Sequence, residues 1–222
     1  MSDPSVDSSI YKTLAAGCMR QCAQIAESTD TPGQITRLFL SPAIRSVHQM
    51  LADQMNQLGL DVRTDDAGNL IGKRDGVGGS TKSLLIGSHL DTVPGGGKYD
   101  GALGVAVGLA VVQALGDVPL PFHLEVIAFS EEEGVRFAQP YLGSHAIAGS
   151  FDAEWLDRID RDGDSMRSVV AGFGLSPDRI PEAAYPPESV IGFIETHIEQ
   201  GPLLKRVDRP VGTVDGLSLI NI

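Results

Sequence analysis

Residues 83–129 read SLLIGSHLDTVPGGGKYDGALGVAVGLAVVQALGDVPLPFHLEVIAF. Leu84-Leu85-Ile86 is a short, continuous apolar run, the pattern of a strand covered on both faces. Residues 102–115 form an apolar stretch whose Gly104 and Gly108 are small enough for a helix to pack closely on a sheet. His123 to Phe129 is a second apolar run. Strand, helix and strand in this order define a βαβ unit, so the spacing predicts an α/β fold with an open, mostly parallel central sheet.

The flanking sequence extends this plan. Residues 9–28 predict a first helix, which ends in the polar turn Ser28-Thr29-Asp30-Thr31-Pro32-Gly33. Residues 42–58 predict a second, with Ser41 as its cap, Pro42 in its first position and Gly59 as its stop. Ile44, Val47, Leu51, Met55 and Leu58 recur at intervals of three and four, which makes one buried stripe. Short strands are expected at Leu60–Arg63 and Asn69–Lys73, joined by the turn Asp65-Asp66-Ala67-Gly68. Residues 141–172 are expected to be mostly helical, with Asp152 capping the segment around Trp155. Residues 173–190, with four prolines, read as a loop. Gly192–Glu199 reads as a third strand, with Phe193, Glu195, His197 and Glu199 on one face. Val211–Val214 reads as the start of another.

Composition removes several functions. The 222 residues carry 29 acidic and 17 basic side chains, a formal charge of -12, with no basic stripe to hold a phosphate backbone. No nucleic-acid partner is therefore expected. Apolar residues make up 42%, enough for a packed core rather than disorder. The amino-terminal MSDPSVDSSIYK lacks the apolar segment of a secretory signal, and the apolar stretch 102–115 is too short to span a bilayer. Cys18 and Cys22 share one face of a helix and read as small core residues. A reduced, cytoplasmic protein with no membrane partner is the expectation. Gly95-Gly96-Gly97-Lys98 lacks the spacing of a phosphate-binding loop, so no nucleotide site is expected.

Three polar clusters follow three of the expected strands: Gly87-Ser88-His89-Leu90-Asp91, Ser130-Glu131-Glu132-Glu133-Gly134, and His197-Ile198-Glu199-Gln200-Gly201-Pro202. Ligands of open α/β sheets bind at the carboxyl ends of strands, so these clusters are expected to converge on one rim. Taken singly, each has a plain alternative. His89 and His197 suit structural histidines as well as metal ligands. Asp100 suits a helix cap as well as a ligand. Three adjacent glutamates commonly form a solvated charge run. Here apolar residues precede them directly, so at least one carboxylate is expected at the sheet rim, where it needs a cation or a proton. Asp91 can take the second N–H of the His89 imidazole. Together, His, Asp, Glu and His match the donor set of a two-metal hydrolase. No G-x-S-x-G nucleophile elbow is present.

The segments GSHLDTVPGGGKYDGALG, IAFSEEEGVRF, LGSHAIAG and ETHIEQGPLL, with TRLFLSPA and DDAGNLIG, resemble the M20 metallopeptidase-like amidohydrolases of the hydantoinase/carbamoylase branch. The resemblance covers nearly all of residues 30–215. It implies a three-layer, zinc-peptidase-like catalytic domain holding two divalent metal ions, Mn²⁺ or Zn²⁺. By motif, it implies that His89 and His197 bind the first metal, Asp100 bridges both and Glu133 binds the second. Asp91 supports His89, Glu132 is the general base, and Gln200 contacts a small ureido or amide substrate. Glu131 is left as an outer position. The implied reaction is hydrolysis of a ureido C–N bond. Allantoate is the expected substrate, giving ureidoglycine, ammonia and carbon dioxide, and N-carbamoyl-L-amino acids are the alternative.

Members of this family are longer. The resemblance implies that residues 1–210 are the amino-terminal part of the catalytic domain and that residues 211–222 open a lid and dimerisation domain. That domain would supply a substrate-holding histidine and arginine, and the returning chain the last histidine of the second metal. A homodimer is implied for the full-length relatives. By this reading the fold is incomplete at its carboxyl end, and the chain alone is expected to be weakly active or inactive, at the extreme a remnant that only binds metal. The tail Leu217–Ile222 departs from the family's usual continuation.

Overall fold

A computed structural model describes residues 8–214, so the tail from Leu217 and most of the expected lid opening lie outside the described residues. Helix α1 spans Ser8–Glu27 and α2 spans Pro42–Gln57. The α2 start is built as its sequence dictates: Ser41 Oγ accepts a hydrogen bond from the Ile44 amide at 3.2 Å, and Pro42 follows the cap. The hairpin strands are β1, Asp61–Thr64, and β2, Leu70–Arg74. The decisive βαβ unit is β3, Ser83–His89, then α3, Ala102–Leu115, then β4, His123–Phe129. Helix α4 (Leu142–Ile147) and α5 (Met166–Phe173) follow, then β5 (Val190–Ile194) and α6 (Leu203–Arg206).

The five strands form one sheet in the order β1-β2-β4-β3-β5. Strands β4, β3 and β5 are mutually parallel, as the βαβ reading requires, whereas the β1–β2 and β2–β4 pairings are antiparallel. The sheet is therefore mixed: a tight hairpin cannot produce a parallel pair, and its second strand docks on β4 in the reverse sense.

Side-chain alternation splits the sheet between two layers. Ile86, Leu124, Val126 and Ala128 pack with the buried faces of α1, α2 and α3. Leu85, Ile127 and Phe129 pack on the opposite side with Ile147, Tyr185 and Val190. A further core joins Phe39, Leu142, Leu156, Met166, Val170 and Ile180 beneath the glutamate segment. Cys18 and Cys22 are buried and unpaired in the α1–α3 interface.

The structure revises several expectations. Residues 141–172 are helical in separate pieces, α4, a 3-10 turn at Ala153–Asp157 and α5, and Asp152 caps that turn as expected, accepting from the Glu154 amide. The stretch 173–190 is not a plain loop, because its prolines start two short 3-10 turns, at Pro177–Ala183 and Pro187–Ser189. The third strand lies earlier than expected, at Val190–Ile194. Residues 195–199 leave the sheet, and 211–214 form no strand. Local alternation continues past Ile194, but the chain turns away from β3 there: the β3–β5 register ends at Ile86↔Ile194 while β3 itself runs on to His89.

Candidate metal centre

His89 is the last residue of β3, and its side chain is buried. Its Nδ1 lies 3.0 Å from the main-chain oxygen of Asp91. A carbonyl only accepts, so Nδ1 carries the hydrogen, and in the neutral ring Nε2 offers a lone pair. His197 repeats the arrangement: its Nδ1 lies 3.0 Å from the Ile198 main-chain oxygen. The two Nε2 atoms are 3.5 Å apart, and Asp100 Oδ1 lies 3.5 Å from that of His89 and 3.1 Å from that of His197. These are three donors with all ligand atoms within 4.8 Å of one another. Asp100 Oδ1 is buried and has no hydrogen-bond partner.

Asp100 does not cap α3, whose cap is Gly101 with no side-chain hydrogen bond. Gly101 has φ +63, and a Cβ there would sit 2.6 Å from His89 Nδ1 and 2.5 Å from the His89 carbonyl oxygen. Only glycine lets the helix begin directly against the imidazole. The His197 and then the His89 imidazole beside it hold the Asp100 carboxyl far below its ordinary range. Burial disfavours the His89 imidazolium, but the adjacent Asp100 and Asp91 side chains outweigh it and keep its pKa well above the usual histidine value. His197 is raised too, chiefly by Asp100. A field that binds protons this firmly also favours a cation.

Asp91 does more than orient His89. Its carboxylate stands 3.6 Å from His89 Nδ1, and its two oxygens accept the amides of Glu132, at 3.0 Å, and Glu133, at 2.9 Å. One buried carboxylate thus joins the end of β3 to the segment that follows β4. Burial pushes the Glu132 carboxyl up to about 7, against which His89 pulls down; burial also raises Glu133. Glu133 lies outside the three-residue donor group, although its charge is felt by His89. Gln200 donates to Asp100 Oδ2 at 3.0 Å.

Two residues near this cluster were not assigned from sequence. Glu131 is the most buried of the three glutamates, at 1% exposure. Arg37, within TRLFLSPA, is equally buried and donates from Nε to the Leu90 carbonyl at 2.7 Å, fixing the peptide between His89 and Asp91. The signal for Glu131 lay in the apolar strand before it. The signal for Arg37 was only the quoted segment, since a lone arginine in a loop is ordinarily exposed.

A family model for Peptidase family M28 matches residues 69–161, which hold His89, Asp91, Asp100 and the three glutamates. The N-carbamoyl-L-amino acid amidohydrolase of Geobacillus stearothermophilus is 42% identical over 188 residues, covering 84% of this chain and 46% of that protein. The allantoate deiminase of Arabidopsis thaliana is 36% identical over 203 residues, covering 88% of this chain and 38% of that protein. The crystal structure of a hydantoinase/carbamoylase family amidase from Burkholderia ambifaria superposes with a TM-score of 0.77 at 35% identity, covering 87% of this chain and 47% of that one. The chain is similar to the hydantoinase/carbamoylase amidases. It spans less than half the length of the curated relatives cited here. The zinc-peptidase-like α/β fold expected from the resemblance is the fold observed, shared with the Burkholderia ambifaria amidase over most of this chain. Among the described residues no helix is long and apolar enough to cross a membrane.

Proposed function

We propose that this chain forms the metal-binding part of an amidohydrolase that cleaves linear amide or ureido C–N bonds of small molecules. One observation carries the reading: two imidazole nitrogens and a buried, unpartnered carboxylate oxygen converge within 3.1–3.5 Å, with both Nδ1 atoms committed to carbonyls. Three such donors repel one another unless a cation or proton lies among them, and imidazole with carboxylate suits Zn²⁺ or Mn²⁺.

His89, Asp100 and His197 would hold the cation, and Glu133 would extend the donor set toward a second one. When bound, such a metal polarises a carbonyl and lowers the pKa of a water. The rest falls to the chain itself. Glu132, with its carboxyl near 7, takes a proton at neutral pH and can hand it on to a departing nitrogen. Asp91 fixes the main chain of Glu132 and Glu133 and holds His89 in the tautomer that leaves Nε2 free. Gln200, on the exposed side of Asp100, would meet the substrate's ureido or carboxylate group.

Allantoate is the substrate expected from the sequence wording. N-carbamoyl-L-amino acids are a second reading, favoured by the 42% identity to a hydrolase named for them against 36% to an allantoate deiminase. Ammonia release from allantoate and from N-carbamoyl amino acids, measured in parallel with added Mn²⁺, separates the two. For the ligands, His89→Ala should lower Zn²⁺ affinity at least about a hundredfold, beyond the effect of losing an outer-sphere partner. Unchanged metal content by mass spectrometry overturns the assignment.

A further inference from the structure

The glutamate that the proposed chemistry leaves idle occupies the most constrained position in the site. Glu131 is buried and has φ +49, a left-handed conformation that glycine prefers. Among the described residues only five non-glycine residues have positive φ, and three others, Leu40, Ala138 and Tyr141, border the same segment. Strain gathered this way persists only where surrounding contacts enforce it.

Those contacts are specific. Glu131 Oε1 accepts the Arg136 amide at 2.9 Å, closing the 131–136 loop from inside. The Arg136 side chain then ties the loop outward, from Nε to Asp160 at 2.9 Å and from Nη1 to the Phe39 carbonyl at 2.8 Å. The carbonyls of Ser130, Glu131 and Glu132 accept from Gly143, Leu142 and Tyr141 in turn. The left-handed turn at Glu131 directs two successive amides, of Glu132 and Glu133, at the two oxygens of Asp91.

We infer that Glu131 is a positioning residue: its buried carboxyl group, closing the loop on the Arg136 amide, holds the strained backbone that aims the Glu132 and Glu133 amides at Asp91. Through Asp91 it sets the orientation of His89. Its value to metal binding rests on the function proposed above, whereas its hold on the loop does not.

The test separates the two. Glu131→Gly suits the positive φ, so it folds without strain, but lacks the carboxylate. Glu131→Gln keeps an oxygen acceptor for the Arg136 amide. Hydrogen exchange of the Glu132 and Glu133 amides should quicken at least about tenfold in the glycine variant and stay within about threefold of the parent in the glutamine variant. Zn²⁺ affinity by calorimetry should fall about 10- to 100-fold in the glycine variant, with recovery in the glutamine variant. Parent-like exchange in Glu131→Gly overturns the positioning role. If the parent protein takes up no Zn²⁺, the metal reading fails, and the exchange comparison still decides the role of Glu131.

Discussion

The two sides of the candidate site are built differently. His89 and Asp91 are 4% and 2% exposed, at the end of a strand paired on both sides, and are tied by the amides of the glutamate loop. His197 and Gln200 ride on a segment that has left the sheet, and the His197 side chain is 27% exposed. That arm is held at Asp100 by His197 and Gln200, and beside it by the bond from Ser88 Oγ to Glu195. One side is preorganised by burial. The other is positioned by the polar groups that would bind the ligand. A site split this way should lose stability when the first side is damaged and affinity when the second is.

The largest effect is expected on the buried side. Asp91→Ala removes the acceptor of two amides and should cost about 3 kcal/mol of unfolding free energy, read from chemical denaturation. A loss below about 1 kcal/mol would erase the contrast between the sides, since that is the worth of a single ordinary hydrogen bond.

On the arm, Gly104→Ala is the sharper probe. A Cβ there would lie 2.5 Å from both Ser88 Cβ on β3 and the Thr196 carbonyl oxygen, and because β3 is locked in the sheet it is the arm that is expected to shift. Zn²⁺ affinity should fall about tenfold, equivalent to about 1.4 kcal/mol. A preserved affinity would mean that the arm adapts freely.

The pH response distinguishes the sides next. Glu132 moves from an ordinary 4.5 to about 7 through burial, and Glu131 to about 8 through burial and the Asp91 charge. An acid with a raised folded pKa holds a proton that the unfolded chain has released, so stability falls as pH rises through that window. The raised His89 and His197 act in the same direction: their contribution is complete below about 6.5 and lost above their folded values. Asp100, with a lowered carboxyl, acts oppositely, but only in the acid range below its ordinary 3.8. Metal-free protein should therefore melt at lower temperature at pH 8 than at pH 5. Added Zn²⁺, which displaces those protons, should flatten the trend. Scanning calorimetry across that range checks both, and a flat metal-free profile contradicts the assignment.

The smallest effect belongs to Gln200→Ala. Its bond to Asp100 is exposed, so metal affinity should change less than about threefold, in line with a modest net hydrogen bond.

Much of the fold was readable because local pattern and burial agreed. The stripe of α2, the Ser41-Pro42 start and the apolar runs of β3 and β4 are each written in consecutive residues. The same consistency made the approach of His89 to His197 an expectation from clusters at the strand ends, whereas Asp100 stayed open between a helix cap and a ligand. The stretch 141–199 was harder. Alternation suggested that the third strand runs to Glu199, but its pairing with β3 ends at Ile194 although β3 continues to His89, and no residue in 195–199 records that limit.

The sequence by itself determined the donor types, their order and the sheet rim they occupy, because strand and helix periodicities are local properties. Only the tertiary structure decided which carboxylate converges with the imidazoles and which ones brace the backbone. It removed Asp100 from capping and set its oxygen between two imidazoles. It engaged Asp91 with two amides, and it turned Glu131 inward on a strained backbone. The physical reason is that a carboxylate's role depends on what replaces its water. For Asp91 and for Asp100 that replacement includes groups 41 and 97 positions away along the chain, brought close by packing.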